Sequence, residues 1–168
     1  MKSGITRRID ELGRLVVPKE IRYNLGIRDG EPLEIYVENN SIIIKKYSEV
    51  KNIESISNDI CKIINDVCNV DVMISDRDKI IATSVTLKDE KDLNLIDNHK
   101  KLIDERETYI STNIEKMYNL EKYFVIKPII TSNDCSGLVF IISNNYSEEL
   151  KKYASIIAKL IEQRIDIT

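Results

Sequence analysis

Residues 33–46 constrain this chain more than any other segment. Leu33-Glu34-Ile35-Tyr36-Val37-Glu38 alternates strictly between apolar and polar, Asn39-Asn40-Ser41 makes a tight loop, and Ile42–Lys46 runs back. Period-two alternation, a short polar loop and a returning strand predict a β-hairpin with an apolar face. A lone two-stranded hairpin is marginal in water, so that face must find cover. The upstream residues offer little. Ile5–Ile9 reads as a short strand, Asp10-Glu11 as a polar turn and Leu12–Val17 as a second strand rich in β-branched residues. Pro18 opens a short helix, and Gly26 closes it in the left-handed conformation. Ile21 and Leu25 share one face of that helix, while Lys19, Arg22 and Tyr23 lie on the opposite one. Asp29-Gly30-Glu31-Pro32 forms the turn into the hairpin. Four short strands and one short helix make a meagre core for a monomer. The reading is therefore an intertwined or otherwise obligate dimer that buries Ile5, Ile9, Val16, Ile35, Val37 and Ile44.

The charge is distributed unevenly. The 168 residues carry 25 Lys+Arg and 28 Asp+Glu, a net of −3, which excludes a uniformly basic nucleic-acid coat. Yet residues 1–28 carry a net of +4, whereas 29–50 carry −3 and 51–168 carry −4. A basic head on an acidic carrier suggests an anion-binding unit joined to a unit with another task. Arginine suits phosphate and guanine because its planar fork donates two parallel hydrogen bonds. A two-fold dimer doubles every such group into a phosphate-tracking surface. The competing reading makes these arginines solvated strand faces paired with Asp10, Glu11 and Glu20. Asp10-Glu11 is read as a turn and not as a paired-carboxylate site, because adjacent residues at a strand end point apart.

The run Asp10-Glu11-Leu12-Gly13-Arg14-Leu15-Val16-Val17-Pro18-Lys19-Glu20-Ile21-Arg22 is flanked by Gly4–Arg8 and followed by Leu25-Gly26-Ile27, Pro32–Val37 and Ile43–Tyr47. Over nearly all of residues 1–47 it resembles the AbrB family of bacterial transition-state regulators. The resemblance implies a swapped-hairpin β-barrel dimer that binds double-stranded DNA through arginines on its strands and helix. Those arginines fall on Arg7, Arg14 and Arg22. Arg8 occupies a position that is usually basic, and Lys19 joins them as a candidate DNA-binding residue. The family often has a second arginine after the position of Arg22, where this chain has Tyr23.

Ile53, Ile56, Ile60, Ile63 and Val67 are spaced 3, 4, 3 and 4 apart, an apolar stripe along a linking helix at about 49–69. The stripe fits either packing on the chain's own sheet or pairing with a second copy, and a dimeric head just before it favours pairing. Beyond it, Val70–Ser75 and Lys79–Val85 read as strands, residues 86–106 as charged with one or two short helices, and Tyr109-Ile110 as a short strand. Tyr123–Ile130 and the strongly apolar Ser136–Ile142 read as further strands. Ser147 is the expected N-cap of a final helix whose stripe is Leu150, Tyr153, Ile157 and Leu160. The fold class is α+β, with the domains placed at 1–50 and 51–168. The second domain resembles a GAF-type sensory domain, with a PAS-like sheet as the alternative. Together the two units are similar to AbrB-like regulators with a C-terminal GAF domain from spore-forming bacteria. That resemblance implies activation and repression of sporulation genes in the forespore. It also implies a homotetramer held by the helices flanking the GAF domains, and a small-molecule ligand of unknown identity. Residues 86–106 could cover a pocket, where Asp92 and Arg106 are weighed against a solvated face. Tyr109, Tyr118 and Tyr123 read as core or rim aromatics.

The remaining chemistry is sparse. Cys61 and Cys68, seven apart on a helix, stand roughly 10 Å apart, too far for a disulfide. There is no CxxC, and His99 has no Cys or His nearby, so neither a metal nor a cofactor is expected. The longest apolar runs are far short of the roughly 20 residues of a membrane helix, and no secretory leader is read. The location expected is therefore the cytoplasm, at the nucleoid. Without a nucleophile–base pair or a phosphate loop, no catalytic residue is proposed. The alternative to a DNA-binding regulator is an antitoxin-like module that neutralises a partner protein, since AbrB-like heads also occur in antitoxins.

Overall fold

The structure is a computed structural model that describes residues 4–47, 50, 54–87, 93–131 and 134–165. It divides into two compact units, Met1–Tyr47 and Ser48–Thr168.

In the first unit, helix α1 spans Lys19–Asn24, and strands β1 (Leu33–Glu38) and β2 (Ser41–Lys46) form the expected antiparallel hairpin. Asn39 and Asn40 both adopt positive φ, 48° and 62°, the two-residue turn whose twist matches its strands. Pro18 stands just before α1 as its N-cap. Gly26, at φ 63°, ends the helix: its N–H donates to Tyr23 O and that of Ile27 to Arg22 O. This pair of bonds is a Schellman closure, and it requires a residue at ease in the left-handed region. The barrel strands expected at Ile5–Ile9 and Leu12–Val17 do not form within the chain. Residues 4–18 carry no ladder beyond the turn at Asp10–Arg14. Alternation tells which face a segment turns to a core, not which strand it pairs with.

The second unit is a curled antiparallel sheet with helices on both faces. Its elements are α2 (Glu54–Cys68), β3 (Asp71–Ser75), β4 (Ile80–Thr83), α3 (Asp97–Glu105), β5 (Tyr109–Ile110), β6 (Glu115–Met117), β7 (Leu120–Thr131), β8 (Asp134–Ser143) and α4 (Glu149–Ile165). The sheet order is β4-β3-β8-β7-β5, with β6 paired to β7. Because side chains alternate across a strand, β8 feeds two cores. Val139 and Ile141 pack with Val72, Ile74, Val125 and Ile129 beneath α2 and α4. Leu138, Phe140 and Ile142 pack with Met73, Phe124, Ile126 and Ile103 on the opposite face, where α3 lies. Burial on both faces explains why β8 reads as one continuous apolar run. Gly137 sits where β8 passes β3: a Cβ there would lie 1.9 Å from the carbonyl oxygen of Ser75.

Three expectations need correction. The linking helix presents Ser57 and Cys61 as its buried residues, with Ile56, Ile60, Ile64 and Cys68 half-buried, while Ile63 and Val67 of the expected stripe are exposed. Ile53 lies outside the described residues. The helix does pack on its own sheet, and a 3–4 spacing cannot tell which of two adjoining faces does so. In α4 the inward residues are Leu150, Ala154, Ile157, Ala158 and Ile161, whereas Leu160 of the expected stripe is exposed. Strand β6 was not expected at all, because three residues are too few to show a period.

Candidate nucleic-acid interface

Two turns of the first unit hold Arg14 and Arg22. In the first, Asp10 organises the chain from Asp10 to Arg14. Its Oδ1 accepts the N–H groups of Leu12 (3.1 Å) and Arg14 (2.8 Å), and its Oδ2 accepts Arg14 Nε at 2.7 Å. The backbones close around it, Gly13 N–H to Asp10 O at 2.9 Å and Asp10 N–H to Arg14 O at 3.1 Å, with Gly13 at φ 76°. The Arg14 backbone N–H, then its guanidinium, hold the Asp10 carboxyl below its ordinary pKa. Arg14 thus projects from a turn that its own partner shapes, and its side chain stays 72% exposed.

The second turn follows α1. Arg22 Nη1 donates to Asp29 Oδ1, and Arg22 Nε is buried without a partner among the described residues. Glu31 anchors this loop from beneath. Its Oε2 accepts the Arg28 N–H at 2.7 Å, and its Oε1 lies 3.2 Å from Lys46 Nζ, which also donates to Gly26 O at 3.3 Å. With its side chain only 4% exposed, Glu31 ties the end of α1 to the hairpin through a nearly buried ion pair. Arg7, Arg8 and Lys19 are exposed, and Arg7 lines a groove with Leu15, Val17, Ile21, Ile42 and Ile44. Arg14 and Arg22, then, are engaged by carboxylates, while among the described residues Arg7, Arg8 and Lys19 are not so held. Asp10 was legible as a partner for the arginines. Asp29 was not, being read only as a turn residue seven positions from Arg22. Tyr23 is exposed beside Arg22.

The hairpin leaves its apolar face open. The cross-strand pairs Ile35↔Ile44 and Val37↔Ile42 lie on it, with Ile35 66% and Val37 76% exposed. On the other face Lys45 Nζ stands 4.5 Å over the ring of Tyr36.

The second unit holds a cavity of about 440 Å³ between α3 and the β5–β6 segment, lined among others by Ile96, His99, Leu102, Tyr109, Glu115 and Met117. His99 is 2% exposed. Its Nδ1 lies 2.9 Å from Tyr118 Oη, its ring stacks on Tyr118, and its edge contacts Phe140. Loss of water pulls its pKa down to about 4, so the imidazole is neutral at ordinary pH. Tyr109 Oη donates to Glu115 Oε1 at 2.6 Å, and burial, then that bond, push its hydroxyl up to about 12. Asp92 lies outside the described residues, and Arg106 lines a different cavity. The three cysteines are free; their spacing in sequence excludes only the Cys61–Cys68 pair. No group of three metal-ligating side chains occurs among the described residues, and no helix there is long and apolar enough to cross a membrane.

Residues 52–166 match the family described as stage V sporulation protein T C-terminal, transcription factor. Stage V sporulation protein T of Bacillus subtilis (strain 168) is 30% identical over 175 residues, covering 96% of this chain and 98% of that one. The chain belongs to the stage V sporulation protein T family. This family placement accounts for both halves at once. Residues 6–52 match the family described as antidote-toxin recognition MazE, bacterial antitoxin. The transition state regulatory protein AbrB of B. subtilis (strain 168) is 58% identical over 48 residues, 28% of this chain and 50% of that protein. The A. Aeolicus nlh2 GAF domain matches with a TM-score of 0.50 at 13% identity, over 67% of this chain and 86% of that one, a likeness of fold alone. The AbrB-type head and the GAF-like sheet expected from the sequence are thus the architecture of this transcription-factor family.

Proposed function

We propose that this chain is a sequence-specific DNA-binding regulator of sporulation genes, acting as activator and repressor, and not an enzyme. Its domain at residues 1–50 binds double-stranded DNA as a swapped-hairpin homodimer. The contacts are made by Arg7, Arg8, Arg14, Lys19 and Arg22. The domain at 51–168 assembles the dimers into a homotetramer and takes a small ligand in the cavity beside α3. The protein acts at the nucleoid of the forespore. The observation that carries this reading is the concentration of exposed basic residues in a segment of net +4 at the start of a chain of net −3. That segment adjoins an apolar hairpin face that a second copy would cover, doubling the basic residues about a two-fold axis.

Fluorescence anisotropy of the full chain on duplex from upstream of its own coding region, against scrambled duplex, tests the reading. Tight binding to the native fragment and a log–log salt slope of several units are expected. Arg14→Ala is expected to weaken binding about 10- to 100-fold. Equal failure of native and scrambled duplex at low salt overturns it.

A further inference from the structure

A second cavity, of about 550 Å³, opens between α4, β7 and the residues following α3, and shares no residue with the one containing His99. Three cations line it, Arg106, Lys127 and Lys159, in a domain whose net charge is −4. Its one acid, Glu162, is already committed: Oε1 accepts the Ile130 N–H at 3.0 Å, and Oε2 accepts Lys159 Nζ at 2.9 Å. The remaining positive charge of the lining is that of Lys127 and of Arg106, which has only a long ion pair of 3.8 Å to Asp134 outside the cavity.

Neither residue is where packing alone would put it. Lys127 pairs across the ladder with Val139, which places it on the core face among Val125, Ile129 and Val139. It is half-buried there, and no carboxylate or hydrogen-bond partner engages it among the described residues. An ammonium drawn off a core face without a partner is costly unless something anionic meets it. Arg106 ends α3 at φ 55°, in the left-handed position that glycine or asparagine fills with less strain. Its Nη2 is 3.8 Å from Asp134, outside hydrogen-bond range, and Asp134 is already held by Arg77 at 2.6 Å. Strain tolerated to display a charge is the mark of a site. Thr108 adds a hydroxyl to the lining, while that of Ser155 is spent on the Lys151 carbonyl at 2.8 Å.

We propose that this cavity binds the phosphoryl group of a small phosphorylated molecule, with Arg106 and Lys127 as the binding cations. Two cations with a threonine hydroxyl beside them fit a multiply charged tetrahedral anion better than a single carboxylate. The volume admits a nucleotide-sized ligand, and Pro128, Ile130 and Ala158 supply an apolar wall for its uncharged part.

The test uses the full chain with inorganic pyrophosphate and ADP as probes, and adenosine and sulfate as controls, at fixed ionic strength. Calorimetry and thermal melting are followed together. Lys127→Met keeps the length of the stem, and Arg106→Gly relieves the left-handed backbone, so both variants should melt at or above the wild-type temperature. Pyrophosphate and ADP are expected to bind the wild type and raise its Tm, while adenosine and sulfate do not. Each variant is expected to weaken ADP at least tenfold. Duplex DNA supplies the same phosphate chemistry, so anisotropy without nucleotide separates the two sources. Unchanged duplex affinity in both variants assigns the site to the free molecule. Duplex affinity lost in both, with no probe bound by the wild type, overturns the small-molecule assignment in favour of the DNA backbone. No saturable pyrophosphate or ADP binding up to about 10 mM, or equal binding by wild type and variants, overturns the proposal.

Discussion

The two units of this chain are stabilised by different means. Among residues 4–47 none is fully buried, and besides the hairpin ladder the fastening is by ion pairs: Asp10 with Arg14, Arg22 with Asp29, Glu31 with Lys46. In the second unit Phe124, Ile126, Leu138, Phe140 and Ile141 are all sealed from solvent. Both units are rich in branched aliphatic residues, so composition does not account for the difference. What differs is connectivity. The second unit closes its layers over both faces of one sheet, whereas a six-residue helix and a two-stranded hairpin cannot close over anything. Polar fastening sets the shape of the head and leaves its apolar face available. Apolar closure makes the sheet domain self-sufficient.

Four measurements break or sharpen that contrast. The largest effect is expected for Gly137→Ala, whose Cβ would meet the Ser75 main chain at 1.9 Å. Neither backbone can yield inside the sheet, so urea unfolding should show a loss of about 3 kcal/mol or more, confined to the second unit's transition. Wild-type stability in this variant would mean that β3 and β8 can part at Gly137 at little cost. Next is Val37→Asp in the head, at a side chain 76% exposed within one chain. If a second copy covers that face, sedimentation should show dissociation and duplex affinity should fall about 100-fold. A variant that assembles and binds as the wild type does would make the head self-sufficient too.

The third concerns acid. The pKa of His99 is about 4 when folded against 6.5 when free, so the unfolded chain binds the extra proton between these values. The stability it contributes is therefore complete above pH 6.5 and declines as pH falls toward 4. Between pH 7.5 and 5 the loss should be about 2 kcal/mol in urea melts of the second unit. His99→Gln should remove that slope while leaving the carboxylate-driven part. The smallest effect is expected at Asp29→Asn, which removes the partner of Arg22 at an aspartate 93% exposed. An exposed pair contributes less than about 1 kcal/mol, so the melt should hardly move and only the placement of Arg22 should change.

The hairpin, α1 with its proline start and glycine end, and the apolar strand β8 were legible because each carries its signal within its own residues. What was hidden depends on partners distant in sequence. Ile63 and Val67 belong to the same 3–4 spacing as Ile56 and Ile60, yet only the latter pair meets the sheet. Ile5–Ile9 has the pattern of a strand and no ladder within the chain. Among the candidate DNA contacts, residue types and positions were readable, but the carboxylate that holds Arg22 was not. The cavity with Lys127 gathers residues from three segments, and a lysine between two aliphatic positions of a strand was its one local trace.

The Asp10 turn has an entropic consequence. A free arginine side chain samples many rotamers, worth about 2 kcal/mol of disorder that any rigid contact must suppress. Asp10 takes Nε while its other oxygen fixes the backbone at Leu12 and Arg14, so much of that suppression occurs during folding. A guanidinium held at Nε this way has fewer rotamers left to sample when it meets its target. Less freedom is left to lose at encounter, and a larger share of each new hydrogen bond is retained as affinity.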